Sequence, residues 1–269
     1  MAATSAAADD LAGSPVAQQT VAFDSAAHPL GPLQARRARE RGEDPHPTPG
    51  DRVQGFLYKP PGDGPFASIV LLPRCDGFTP FIRTRLPETL AAWGYAVLAV
   101  DGLSSRPVSD PCNDTRVDTL ADAYGALRYL ASQPFVDKQR VGVLGIASGG
   151  RVALTVADPQ VEDVIVNDDK LAFRSIVAFY PQCGGGGDTV STPALIMIGR
   201  EDQWARPASC QEYARAGGGK RPIEIVLFPG VQHGFLEPEY MAGFDQHAAE
   251  TALGATRDFL GRTLAPEQK

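Results

Sequence analysis

The sequence predicts a doubly wound, mostly parallel α/β sheet with helices on both faces and an antiparallel N-terminal lead-in. Short apolar runs rich in β-branched residues recur along the chain, each followed by turn residues and then by a segment of helical period. These runs barely alternate between apolar and polar, which suits strands covered on both faces. The chain has 269 residues, 43% of them hydrophobic and 21% charged, enough for one sizeable core in one domain.

Residues 1–18 are small, polar and without periodicity, and read as a flexible segment before a single domain over 19–269. Residues 20–23 and 53–58 read as the two strands of the lead-in, joined by a long Pro- and Arg-containing loop over 28–51. Parallel strands follow at 67–72, 95–100, 141–144, 175–180, 194–198 and 223–228. Between them, Leu120, Ala123, Tyr124, Leu127 and Leu130 fall three and four apart and give one helix an apolar stripe. A shorter helix runs over 87–93, with Pro87 in its first turn and Gly94 ending it. The last helix spans 246–264. A sheet of this kind carries its site at the carboxyl ends of the strands.

A formal net charge of −7 argues against a nucleic-acid or anionic-membrane surface, since no basic excess offsets phosphate repulsion. The most basic run, Arg36-Arg37-Ala38-Arg39-Glu40-Arg41, reads as a solvated surface segment. No apolar stretch is long enough to span a membrane. The N-terminus has no charged region followed by an apolar one, although residues 2–19 resemble the start of a mature exported protein. The four cysteines, Cys75, Cys112, Cys183 and Cys210, form no CxxC pair, so no metal site is expected.

The strand at 141–144 leads into Gly145-Ile146-Ala147-Ser148-Gly149-Gly150 and then into a helical segment. A nucleophile elbow places a Ser or Cys on a strained strand-to-helix turn, with glycines two before and two after it. Here those glycines flank Ala147. The Ser148 N–H would then face an oxyanion at the helix start. A Gly-rich turn of this kind could instead bind phosphate, but the GxGxxG spacing is absent. Taking Ser148 as the nucleophile would put the β-branched Ile146 at a position of close approach. Asp202 follows the strand at 194–198, with Glu201 as its competitor. His233 follows the strand at 223–228, and the other histidines, His28, His46 and His247, lie away from strand ends. The order nucleophile, acid, histidine is that of a hydrolytic triad in which Asp202 orients His233 as base.

From about residue 53 to the C-terminus the chain resembles the dienelactone hydrolase family of the α/β-hydrolase superfamily. The Gly145–Gly150 elbow, Gly199-Arg200-Glu201-Asp202 and His233-Gly234-Phe235 carry the likeness, with the segments 90–97, 133–137 and 178–181. The resemblance implies a hydrolase of a small carboxylic ester or lactone that needs no cofactor. Two departures stand out. Ala147 occupies the place of the family's Cys or Ser, removing the group that would form an acyl-enzyme. The loop Pro73-Arg74-Cys75-Asp76-Gly77 carries Arg74 where dienelactone enzymes have a glutamate, which makes a native Ser a better fit than a native Cys at 147. The Cys75 N–H remains available as the second oxyanion donor.

Arg74 and Arg106 sit on loops at the carboxyl edge, where either could clamp a substrate carboxylate. Phe78, Trp204 and Phe235 are expected as apolar pocket walls, with plain core packing as the alternative. Two functional readings follow. One is an ester or lactone hydrolase present here as a nucleophile-to-alanine variant, and the other is a natural non-catalytic homologue that binds a ligand or partner in the same cleft. Placement at the ends of adjoining strands predicts disulfides Cys75–Cys112 and Cys183–Cys210. Oxidised cysteines would favour a periplasmic or secreted protein over a cytoplasmic one.

Overall fold

The computed structural model describes residues 16–184, 190, 192–217 and 223–266. β1 (Ala17–Asp24) and β2 (Arg52–Lys59) pair antiparallel, and β2 also runs antiparallel to β4 (Ala96–Asp101). β3 (Phe66–Leu72), β4, β5 (Val136–Ile146), β6 (Ile176–Phe179), β7 (Ala194–Gly199) and β8 (Ile223–Phe228) are parallel. Together they form one eight-stranded sheet in the order β1-β2-β4-β3-β5-β6-β7-β8. The weak alternation of the apolar runs has a plain cause, since β4, β6 and β7 are buried along their whole length. Among the parallel strands, only the outer strand β8 leaves most of its residues partly exposed.

α3 (Thr119–Ala131) packs beside α4 (Ser148–Thr155), and α5 (Pro207–Ala216) lies on β7 and β8. The end of α2 (Leu86–Ala92), which continues a π-helical turn at Phe81–Arg85, meets α6 (Gln246–Thr263), where Arg257 lies 5.8 Å from the Trp93 ring centre. Helices therefore cover both faces. Side-chain caps start two of them: Asp118 accepts from the Ala121 N–H at 2.9 Å, and Asp245 accepts from the Ala248 N–H at 2.8 Å.

The lead-in departs from expectation twice. Of the segment 1–18 expected to be flexible, residues 1–15 lie outside the described residues, whereas Ala17 and Gln18 already pair with Lys59 and Tyr58. The first four residues of β1 are exposed, so no buried residue announces this end, which backbone pairing along an exposed edge holds. The stretch 28–51 is not all loop. It contains α1 (Pro32–Glu40), in which Pro32 opens the first turn and Gln34 Oε1 accepts from the Gly31 N–H at 3.1 Å.

The sheet order fixes where a site can form. From β3 the chain goes to β4 on one side, and β5 then lies on the other, which opens a crevice at the carboxyl ends of β3 and β5. Two disulfides, Cys75–Cys112 and Cys183–Cys210, fasten loops at this edge, with Cα separations of 4.8 and 5.0 Å, and both are the expected pairs. Among the described residues no helix is long and apolar enough to cross a membrane.

Candidate active site

The elbow lies between β5 and α4. Ala147 has φ 51° and ψ −112°, a conformation that a residue with a Cβ adopts only under constraint. The constraint is close packing on both sides. A Cβ on Gly145 would lie 2.1 Å from the Gly149 carbonyl oxygen, and one on Gly149 would lie 2.4 Å from the carbonyl oxygens of Leu72 and Pro73. The strained position is thus 147, while Ser148 begins the helix and Ile146 is buried in the strand. The Ala147 N–H donates to Phe179 O at 3.0 Å, joining the elbow to the end of β6. The Ser148 and Cys75 N–H groups have no hydrogen-bond partner among the described residues, so both remain free to donate.

Beyond β6, the ends of β7 and β8 supply an acid and a base. His233 Nδ1 lies 2.8 Å from Asp202 Oδ2, and Asp202 Oδ1 accepts from the N–H groups of Trp204 and Ala205, each at 2.8 Å. Burial on its own would raise the Asp202 pKa, but the hydrogen bonds from His233 and from the Ala205 and Trp204 N–H groups outweigh it and hold the carboxyl below its usual range. An ionised Asp202 can only accept, which makes Nδ1 the donor. Glu201 is exposed and does not reach the imidazole nitrogen that Asp202 holds. It instead lines a small cavity of about 110 Å³ with Gln203, Trp204, Gln232, His233 and Tyr240.

The remaining expected residues divide. Trp204 is 71% exposed, with its ring 6.2 Å from that of His233, and forms an open wall of the cavity. Phe78 stacks edge-on against Phe56 at 5.5 Å. Phe235 is fully buried between Tyr180 and Phe228, so it is a core residue and not a pocket wall. Arg106 does not present its guanidinium to the cleft. Nε donates to Asp51, Nη1 to Gly102 O and Asp122, and Nη2 to Asp122, with Ser25 Oγ at 3.5 Å, so all five donors are taken. Arg74 is at the cleft but engaged: Nε and Nη2 donate to Asp76 at 2.9 and 2.5 Å, and Nη1 lies 3.6 Å from Glu237 Oε1.

Sequence reasoning missed Glu237, Tyr180 and Tyr240. Glu237 is fully buried and bonds Tyr180, whose ring centre is 4.8 Å from that of His233. Tyr240 packs over Gly234, where φ is 79° and a Cβ would lie 2.2 Å from the ring. One signal for Glu237 is present in the sequence, an acid inside the apolar stretch Phe235-Leu236-Glu237-Pro238.

Comparison with known proteins agrees with the fold. The model of the dienelactone hydrolase family matches residues 53–264. A Bradyrhizobium protein described as a probable 2-oxo-3-(5-oxofuran-2-ylidene)propanoate lactonase is 24% identical over 228 residues, covering 79% of this chain and 90% of that one. Mouse acyl-coenzyme A thioesterase 3 is 34% identical over 239 residues, but the match covers 72% of this chain and only 53% of the thioesterase. Among solved structures, a dienelactone hydrolase-like promiscuous phosphotriesterase from metagenomic libraries aligns over 93% of this chain and all of its own, with a TM-score of 0.65 and 18% identity. An esterase from Thermogutta terrifontis aligns over 81% of this chain and 91% of its own, with a TM-score of 0.61 and 22% identity.

Proposed function

The chain belongs to the dienelactone hydrolase family, and from that premise we propose that its cleft is the site of a carboxylic-ester or lactone hydrolase in which Ala147 stands at the nucleophile position. One observation carries the reading: an imidazole held by a buried aspartate stands at the same sheet edge as a strained elbow residue flanked by two obligatory glycines. With Ser at 147, Oγ adds to the substrate carbonyl as its proton passes to His233 Nε2, and the oxyanion is held by the Cys75 and Ser148 N–H groups. Collapse expels the alcohol, which takes that proton. Water then loses a proton to His233, attacks the acyl carbon and releases the acid and the serine. Without an oxygen or sulfur at 147 no acyl-enzyme forms, and only the help of binding and the oxyanion donors remains. Phe78 and Trp204 serve as apolar walls for the substrate, and Arg74 borders it through the edge left by Asp76 and Glu237. The two disulfides support a periplasmic or secreted setting.

The test is hydrolysis of aryl acetates and small lactones by this chain, by Ala147→Ser and Ala147→Cys, and by each with His233→Ala. Turnover is expected in the serine revertant and its loss on removing His233, while this chain binds substrate and leaves it intact. If this chain itself turns over and stops on Ser148→Ala, the nucleophile is Ser148. Inertness of every variant on every substrate would instead favour a non-catalytic binding protein.

A further inference from the structure

Glu237 is a carboxylate with no exposed surface that the hydrolytic steps above do not use. Its partners come from two loops at the carboxyl edge, those after β3 and β6. Thr79 Oγ1 donates to Oε2 at 2.9 Å, Tyr180 Oη donates to Oε1 at 2.9 Å, and Arg74 Nη1 stands 3.6 Å from Oε1. A carboxylate so buried is tolerated only where such groups compensate it. Against the Tyr180 ring stands His233, at 63° and a centre distance of 4.8 Å.

Tyr180 is held rigidly. Its side chain is fully buried, its φ is 37°, its N–H donates to Met197 O at 2.6 Å, and Phe235 packs at 5.3 Å. Burial first and the Glu237 charge second hold the phenol proton on, well above the ordinary range, so Tyr180 stays a donor to Glu237. A phenol that donates to a carboxylate carries more negative charge on its ring, and in a buried setting that charge acts on a cation beside it with little screening. His233 becomes such a cation whenever it takes a proton.

Resting on the triad reading above, we propose that Glu237 is a positioning residue for His233, acting through Tyr180 to hold the imidazole and to favour its protonated form during the reaction. The groups facing His233 are Asp202 after β7, Tyr180 after β6, and Glu201 and Tyr240 in the adjoining cavity; Arg74 lies behind them, against Glu237 and the Tyr240 ring. Of these, Tyr180 touches both the imidazole and Glu237, and the proposal turns on that link.

The experiment places Glu237→Gln and Tyr180→Phe in the Ala147→Ser chain and in the chain as it stands. In the revertant, each is expected to lower kcat on an aryl acetate about tenfold, the scale seen when a metal-ligating histidine loses an outer partner, with KM nearly unchanged. The acid limb of kcat/KM should move to lower pH, because the imidazolium has lost a stabilising charge. In the Ala147 chain, NMR titration of the His233 ring should show the same downward move without any turnover. Thr79→Val, which removes the Oε2 contact and the acceptor of the Ile82 N–H but touches neither Tyr180 nor His233, should lower Tm and leave the titration in place. An unchanged His233 titration in both Glu237→Gln and Tyr180→Phe overturns the proposal, and Tyr180→Phe alone decides it if Glu237→Gln does not fold. Should Ala147→Ser prove inert, the hydrolase reading falls while the titration still judges Glu237.

Discussion

At His233 the chemistry depends on which ring nitrogen holds the proton. Asp202 receives Nδ1–H on Oδ2 while the Trp204 and Ala205 N–H groups occupy Oδ1, so a neutral imidazole carries its lone pair on Nε2. An asparagine at 202 would offer an N–H₂ at the same place and reverse the tautomer. In the Ala147→Ser chain, Asp202→Asn is therefore expected to lower kcat about 10⁴-fold, as it does in another triad, with ester hydrolysis as the readout. The same residue leaves a mark on stability. Its carboxyl is held below the ordinary range, so it contributes stability in full above the unfolded-state value of about 3.9 and loses it as pH falls through the folded-state value. Urea unfolding of this chain and of Asp202→Asn should accordingly converge below about pH 4; curves that stay parallel would mean that the hydrogen bonds do not favour the ionised form.

At the scale of elements, the six parallel strands were legible because each contains an apolar run closed by turn residues, largely buried in all but the outer β8. The elbow, Asp202 and His233 were legible because each directly follows such a run. α1 was not, since it buries only Ala38 and so writes no apolar stripe into the sequence. The group of Arg74, Tyr180, Glu237 and Tyr240 was not legible either, because its members are distant in the chain and meet only once the strand order is known. The disulfides act at this scale too. Cys75–Cys112 closes a separation of 37 residues and fastens the loop after β3, which carries the proposed oxyanion donor Cys75, to the loop after β4. Chain entropy puts its contribution at about 3–4 kcal/mol. Cys75→Ser with Cys112→Ser should lower the unfolding free energy in urea by up to that amount. In the Ala147→Ser chain it should lower kcat more than Cys183→Ser with Cys210→Ser, whose bridge fastens the loop after β6 to α5. Equal losses of kcat from the two pairs would detach Cys75 from the oxyanion site.

Across the whole molecule, the antiparallel lead-in must be joined to the parallel sheet that carries the site, and a buried ion pair does much of the joining. Arg106, after β4, reaches Asp122 on α3 with both Nη atoms at 2.8 Å and Asp51 before β2 with Nε at 2.8 Å, while Ser25 after β1 donates to Asp122. The same loop is fastened further along by Cys112. Arg106 therefore organises the wall of the cleft from behind, which is why it cannot serve as a substrate clamp. Burial outweighs the guanidinium at Asp122 and pushes its carboxyl up from the ordinary range, while that carboxylate holds the Arg106 proton more tightly. Removing the arginine alone leaves a buried carboxylate without its counter-charge, a loss of about 3–5 kcal/mol. Arg106→Leu should show a deficit of that size in urea at pH 7. With the arginine gone the Ser25 hydrogen bond is left to oppose burial, so Asp122 should take up a proton more readily, and the deficit should shrink as pH falls toward the unfolded-state value of about 3.9. Arg106→Leu combined with Asp122→Leu, which removes both charges, should recover much of the loss at pH 7, because the double change leaves no charge buried. A double variant as unstable as Arg106→Leu alone would assign the role to packing and not to charge.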